Sequence, residues 1–251
     1  LRLKNAIRPG QYTPTQVKTT KSNIGNLPAC LQKLKELAKW DEGQVVKTKD
    51  GMIKAKGMGC FWKTSDSPTN AVSGTFLTFN TDGSINLNNG AVEIGPSTKT
   101  TLAQILAERL KMDVSRIHVF MGVDTQVSPE HWKTVASMST FMAGRATLRA
   151  ADDLIRQLKS LAATVMNSPP EDLDVAEEKV YLKQDPEIYV SFKDLARGYK
   201  QPNGLAVDGQ IIGRGTFIMS HITDIDEKTG KGKPGPGWTV GAQTVEIEYN
   251  P

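Results

Sequence analysis

VSGTFLTFNTDGSINLNNGAVEIGPSTKTTLAQILAERL, residues 72–110, changes its hydrophobic period once, from strand to helix. Its opening stretch, 72–80, reads as a strand. Thr81-Asp82-Gly83-Ser84 then reads as a hairpin turn into a second strand, 85–94, with Ile85, Leu87 and Ile94 on the buried side. Over 99–111 the period becomes helical, because Leu102, Ile105, Leu106 and Leu110 share one stripe. A third strand follows at 116–123. Strands and helices are mixed without the strict alternation of a doubly wound sheet, so the expected fold class is α+β, a layered mixed sheet with packed helices.

Outward from this core the same rules apply. Residues 1–27, rich in Pro, Thr, Lys and Asn, read as an extended connector, and 28–40 as a surface helix with Leu31, Leu34 and Leu37 at helical spacing. A strand is expected at 56–63, and a long Ala-rich helix at about 140–166, closed by Ser168-Pro169-Pro170. Short strands are expected at 178–183, 187–190, 211–219 and 238–249, with a small helix near 192–199. Lys228–Gly237 is a Gly, Pro and Lys loop.

A chain of 251 residues can bury about three quarters of its unfolded surface, so it needs no covalent staples. The 31 Lys plus Arg and 27 Asp plus Glu leave a formal charge of +4, scattered along the chain, which gives nucleic-acid binding little support. Cys30 and Cys60 have neither metal-ligand spacing nor a disulfide framework, and a reducing, cytoplasmic setting is the simplest reading. No apolar run reaches the ~18 residues of a membrane helix, and no signal-peptide layout opens the chain, so no membrane partner is expected. The first residue is Leu1 inside a basic LRLKN, which suggests a piece of something longer.

Two stretches could hold an anion. Gly95-Pro96-Ser97-Thr98-Lys99-Thr100 lies between a strand and a helix, where free backbone N–H groups and the positive end of the helix dipole gather. The plainer alternative is a hydroxyl cap, with Thr101 and Gln104 spaced as a capping box. A phosphate loop of the GxxxxGK[ST] type fails, because Thr98 stands where Gly must precede the lysine. The second stretch, Thr134-Val135-Ala136-Ser137-Met138-Ser139-Thr140, has the same chemistry ahead of the long helix. Together the two junctions could grip a phosphate-bearing cofactor, and two independent caps remain the competing reading.

Other candidates are weaker. Asp124 is a turn former at the end of its strand. His118, His131 and His221 share no spacing with one another or with a carboxylate or cysteine, which leaves neither a zinc site nor a Ser-His-Asp arrangement. His118 alternates with strand neighbours and is expected to be packed. Asp224-Ile225-Asp226 begins like a calcium loop, but the Gly and Glu positions are wrong, so a solvated hairpin tip is expected.

Taken in order, LRLKNAIRPGQYTPT, GMGCFW, TDGSINLNNGAVEIG, TLAQILAERL, VDTQVSP and TVASMSTFMAGRAT resemble the large subunit of the xanthine dehydrogenase and aldehyde oxidase family of molybdenum hydroxylases. The likeness runs from residue 1 to about 155, weakens over 156–236 and returns in GWTVGAQTVEIEY. It implies a molybdenum-cofactor-binding-domain-like fold. Residues 1–57 would be the tail of one cofactor lobe with its connector, and 58–251 the first part of the next. It also implies a cofactor of molybdenum on a pyranopterin (molybdopterin), with a cytosine dinucleotide form among its variants. Gly95, Pro96, Ser97, Thr98 and Thr100 would lie against the pterin, with Ala136, Ser137, Met138, Ser139, Thr140, Gly144 and Arg145 adding further contacts.

The family reaction hydroxylates an N-heterocycle or aldehyde carbon with oxygen from water, using a glutamate base that falls beyond the equivalent of Pro251. Electrons leave through iron-sulfur and flavin subunits or domains. The resemblance therefore implies an oxidoreductase parent with a small-molecule substrate, while this chain alone should be inactive. One departure matters: Gly95-Pro96-Ser97 stands where the family has Gly-Gln-Gly, and Pro96 removes an amide side chain and a backbone donor. That departure motivates the alternative of a non-catalytic relative or assembly module on the same scaffold.

Overall fold

The computed structural model describes residues 1–64 and 67–251. In chain order the elements are α1 (Arg2–Asn5), α2 (Leu27–Leu37), β1 (Val45–Lys47), β2 (Ile53–Lys63), β3 (Val72–Phe79), β4 (Ile85–Asn89), α3 (Thr98–Leu110) and β5 (Ile117–Phe120). They continue with α4 (Gly144–Met166), β6 (Leu173–Ala176), β7 (Lys179–Leu182), β8 (Asp185–Ser191), α5 (Phe192–Leu195), β9 (Tyr199–Lys200), β10 (Ala206–Val207), β11 (Ile212–Ile218) and β12 (Thr239–Tyr249). A π-helical turn, Ser139–Ala143, runs directly into α4. The chain forms two compact units, Leu1–Thr69 with Ser220–Pro251, and Asn70–Met219.

In the first unit β1, β2 and β12 make an antiparallel sheet, with β2 and β12 paired along their whole length from Ile53↔Tyr249 to Lys63↔Thr239. Leu27 and Leu31 of α2 pack on Met58, Trp62, Val240 and Ala242. Asn26 begins that helix by accepting a hydrogen bond from the Ala29 N–H at 3.1 Å. Lys56 closes the other end: its Nζ donates to the Ala38 and Lys39 carbonyls, where the helix dipole favours a cation.

The second unit carries a four-stranded mixed sheet in the order β11-β3-β4-β5, antiparallel except for the parallel β4–β5 pair that α3 connects. Leu77, Leu87 and Ile85 face Leu102, Leu106 and Leu110 of α3 and Leu154 and Leu158 of α4, all fully buried. A β6-β7-β8 meander and the small β9–β10 pair belong to the same unit.

α4 lies unusually close to β11. A Cβ on Gly215 would overlap the Ala146 carbonyl oxygen and the Ala150 nitrogen, and one on Gly213 would collide with the Ala150 carbonyl and Leu154. The helix also finishes the free edge of the strand. Asp153 Oδ2 accepts from the Arg214 N–H at 3.0 Å, Gln157 Nε2 donates to the Ile212 carbonyl at 2.8 Å, and Arg149 donates to the Thr216 carbonyl at 2.6 Å. An edge that would otherwise offer unpaired backbone groups is thereby closed by helix side chains.

The main elements fall where periodicity predicts, and the α+β class holds. The differences have local causes. β4 ends at Asn89, not 94: the Asn89 side chain accepts from the Ala91 N–H at 2.8 Å and turns the chain, leaving Ile94 67% exposed instead of buried. α5 stops at Leu195, short of 199, ahead of Gly198 at φ +86°. His118 is exposed, not packed, because its register opposite Asn86 puts it on the sheet face away from the helices. β1, β6, β9 and β10 have no counterpart in the sequence pattern, being two to four residues long, too short for a period to show.

Gly215→Ala should lower the unfolding free energy by about 3 kcal/mol or more, since helix backbone cannot give way. Gly209→Ala, where an added methyl meets nothing within 4 Å, should stay within about 0.5 kcal/mol in the same urea titration.

Candidate cofactor-binding site

The two helix starts singled out in the sequence are neighbours, and they are built differently. The Val92 N–H donates to Thr134 Oγ1 at 2.9 Å, tying the segment before α3 to the one before α4. Gly144 completes the approach, because a Cβ there would come within 2.9 Å of Ile105 Cδ1 on α3.

At α3 no hydroxyl makes the cap. Ser97, at φ +59°, occupies the capping position without a side-chain bond, and Thr101 Oγ1 donates to the Ser97 carbonyl instead of forming a capping box. The cap is Glu93. One carboxylate oxygen accepts from the N–H groups of Gly95 and Ser97 at 3.0 and 3.1 Å, and the other from Lys99 at 3.3 Å. Partial desolvation pushes the Glu93 carboxyl up, but the amides of Lys99, Gly95, Ser97 and Thr98 outweigh it and leave the group below the ordinary glutamate value. A carboxylate reaches several amides at once, where a hydroxyl reaches one. The donors expected to be free for a ligand are therefore engaged by the chain's own anion, and Pro96 has no N–H to add.

The start of α4 has no such internal acid among the described residues. Ala136 takes a left-handed φ of +47°, the Met138 N–H returns to the Val135 carbonyl at 3.0 Å, and the chain enters the π-helical turn. Such wide turns often mark functional positions. Ser137, Thr140, Gly144 and Arg145 line a cavity of about 560 Å³ with Ile105 and Phe141. Met138 and Ser139 are buried beside it in sequence, and Ser139 Oγ has no hydrogen-bond partner among the described residues. Among those residues Arg145 also makes no ion pair, its guanidinium lying 4.9 Å from the centre of the Phe141 ring. The structure thus gathers Ser137, Thr140, Gly144 and Arg145 around one space, while Gly95–Thr100 stands outside that lining.

The residues fit an anionic cofactor at α4. They supply a permanent positive charge, two hydroxyls and an aromatic wall. No group of three or more potential metal ligands occurs among the described residues, so these residues offer a place for the organic part of a metal cofactor and no ligands for a metal itself. Asp124 is the turn former expected, accepting from the Gln126 N–H at 2.9 Å. Asp226 likewise accepts from Lys228, Thr229 and the Thr229 hydroxyl in a hairpin tip, not a calcium loop.

One group escapes any reading of the sequence. His131 Nδ1 lies 2.9 Å from Ser73 Oγ, and the Trp132 N–H and Glu130 carbonyl flank that pair with backbone bonds to Val72 and Gly74 of β3. This strap delivers residues 132–140 to the site. The partners are 58 residues apart, so no local pattern could signal the pair. Burial pushes the His131 imidazole below its ordinary value, with the Lys133 backbone opposing.

Because folded His131 holds its proton less tightly than unfolded His131, the unfolded chain binds more protons below about pH 6.5. Stability should fall as pH drops from 7 toward 5 in urea titrations, and His131→Gln should flatten that slope. Glu93→Gln should lower the melting temperature, and added sulfate should raise the melting temperature of this variant by more than that of the unsubstituted chain.

The profile of the family described as "molybdopterin cofactor-binding domain" matches residues 33–251. The putative xanthine dehydrogenase molybdenum-binding subunit of Escherichia coli is 31% identical over 201 residues, covering 78% of this chain and 26% of that protein. A nicotinate dehydrogenase subunit of Pseudomonas putida is 29% identical over 136 residues, covering 54% of this chain and 11% of that protein. The fold is shared with quinoline 2-oxidoreductase of Pseudomonas putida, at a TM-score of 0.68 and 16% identity, over 99% of this chain and 32% of that one. The chain thus spans about a quarter of the length of its xanthine dehydrogenase relatives, 26%. With the profile running from residue 33 to residue 251, the chain belongs to the molybdopterin cofactor-binding domain family.

Proposed function

We propose that this chain forms part of the molybdopterin site in the large subunit of a xanthine dehydrogenase-like hydroxylase, and that its contribution is to hold the anionic part of the cofactor at the start of α4. The observation that carries this reading is the cavity lined by Ser137, Thr140, Gly144 and Arg145, whose charge has no acidic partner among the described residues. Arg145 would pair with the anion, Ser137 and Thr140 would donate hydroxyls, and buried Ser139 would gain the partner it lacks. Ala136 and Met138 shape the turn that presents them. Gly95, Pro96, Ser97, Thr98 and Thr100 would form the neighbouring wall, with their charge complement already supplied by Glu93.

When bound, the cofactor would supply the molybdenum redox chemistry that hydroxylates an N-heterocycle or aldehyde carbon. The chain's own part is to bind and orient. The proton-transferring base, in this reading, comes from another part of the parent protein, and this chain by itself would turn over no substrate. Iron-sulfur and flavin subunits or domains would carry the electrons away, in keeping with relatives whose names make them single subunits of larger enzymes, the nicotinate dehydrogenase one included. Among the described residues no helix is long and apolar enough to cross a membrane.

The alternative, a non-catalytic relative, is motivated by Pro96. The two readings separate on metal content. Full-length protein from its native host should contain molybdenum in stoichiometric amount, and Arg145→Gln should reduce both molybdenum and extractable pterin by about tenfold, the scale of one lost charge-assisted bond. Molybdenum-free protein of native fold would sink the cofactor reading in favour of the alternative.

A further inference from the structure

Arg145 is held by more than its own helix. Phe141 of the π-helical turn and Phe217 of β11 meet edge to face, with ring centres 5.5 Å apart and planes at 89°. The Arg145 guanidinium lies 4.9 Å from the first ring and 5.5 Å from the second. Arg149, one turn further along α4, lies 5.2 Å from the same Phe217 ring, and its NH1 is committed to the Thr216 carbonyl at 2.6 Å. Two like charges therefore share one phenyl ring, and among the described residues neither has an acidic partner.

This arrangement is asymmetric in a useful way. Arg149 is pinned by a backbone carbonyl, so it has one polar bond that a ligand would have to break. Arg145 is oriented by ring faces, which attract a cation without occupying its N–H donors. A guanidinium held in this manner keeps its hydrogen-bonding fork available. β11 cannot shift to follow a ligand, because Gly213 and Gly215 press against α4 backbone on either side of Arg214. The ring of Phe217 is thus fixed in space by the strand that carries it.

We infer that Phe217 is a positioning residue for the anion site: its ring holds the Arg145 guanidinium at the cavity mouth, with donors free, for a pyrophosphate-type group. The inference rests on the reading of that cavity as the anionic end of the cofactor site. Phe217 itself is absent from the cavity lining, so its effect runs through Arg145. The two phenyl rings also explain why an exposed arginine can be pre-ordered. Less rotamer freedom is lost when the ligand arrives.

The test is calorimetric titration of the 251-residue chain with inorganic pyrophosphate, with a melting curve for each variant. Phe217→Met keeps volume and removes the ring, and it should weaken binding about fivefold to tenfold. Phe217→Tyr, which keeps the ring, should restore it. In an Arg145→Gln background the Phe217→Met change should alter affinity by less than about twofold, because the partner it positions is gone. A purely structural role would instead lower the melting temperature of the Met variant and leave pyrophosphate affinity unmoved, which overturns the inference alone. Full loss persisting without Arg145 would do the same. Failure of the unsubstituted chain to bind pyrophosphate would overturn the cofactor reading and this inference together.

Discussion

Backbone-to-backbone contact between α4 and β11 is the constraint on which the second unit depends. Two glycines flanking Arg214, Gly213 and Gly215, let the helix settle against the strand at a separation that no side chain permits. From that approach follow the three side-chain bonds that close the strand's free edge, and from it follows the placement of Phe217 beside Arg145. The helix start is thereby fixed by contacts made along its later turns.

The two helix starts show how one chemistry can be used in opposite ways. Both are short polar segments ahead of an amphipathic helix, and both offer the positive end of a dipole. At α3 the chain satisfies that end itself, with the Glu93 carboxylate across the Gly95, Ser97 and Lys99 amides. At α4 it adds a cation, Arg145, and leaves a buried hydroxyl at Ser139 without a partner among the described residues. The first junction is electrostatically complete and the second is not. The Val92–Thr134 bond ties the segments that lead into them.

The strands and helices with a clear period were legible. The hairpin turn at residues 81–84, the stripe of α3 and the long run of α4 follow from side-chain alternation, turn chemistry and 3.6-residue spacing. The ordered motifs also pointed to the right family. Less legible were the ends: β4 stops at Asn89, where a single side-chain bond turns the chain, although apolar residues recur beyond it up to Ile94. At the site, the hydroxyl-rich composition of both junctions was visible, but Glu93 gave no capping signal because it sits four residues ahead of Ser97, the capping position.

The sequence by itself determined the fold class, the positions of the principal elements, the family and the two polar junctions, because these depend on local period, turn residues and the order of short motifs. Only the tertiary structure decided that the Glu93 carboxylate engages the backbone amides at the start of α3. It decided also that His131 anchors a strap through Ser73, and that Phe217, 72 residues from Arg145 in sequence, stacks on its guanidinium at 5.5 Å. Each of these rests on contacts between distant segments, and distance along the chain carries no record of who meets whom until the sheet and helices have packed.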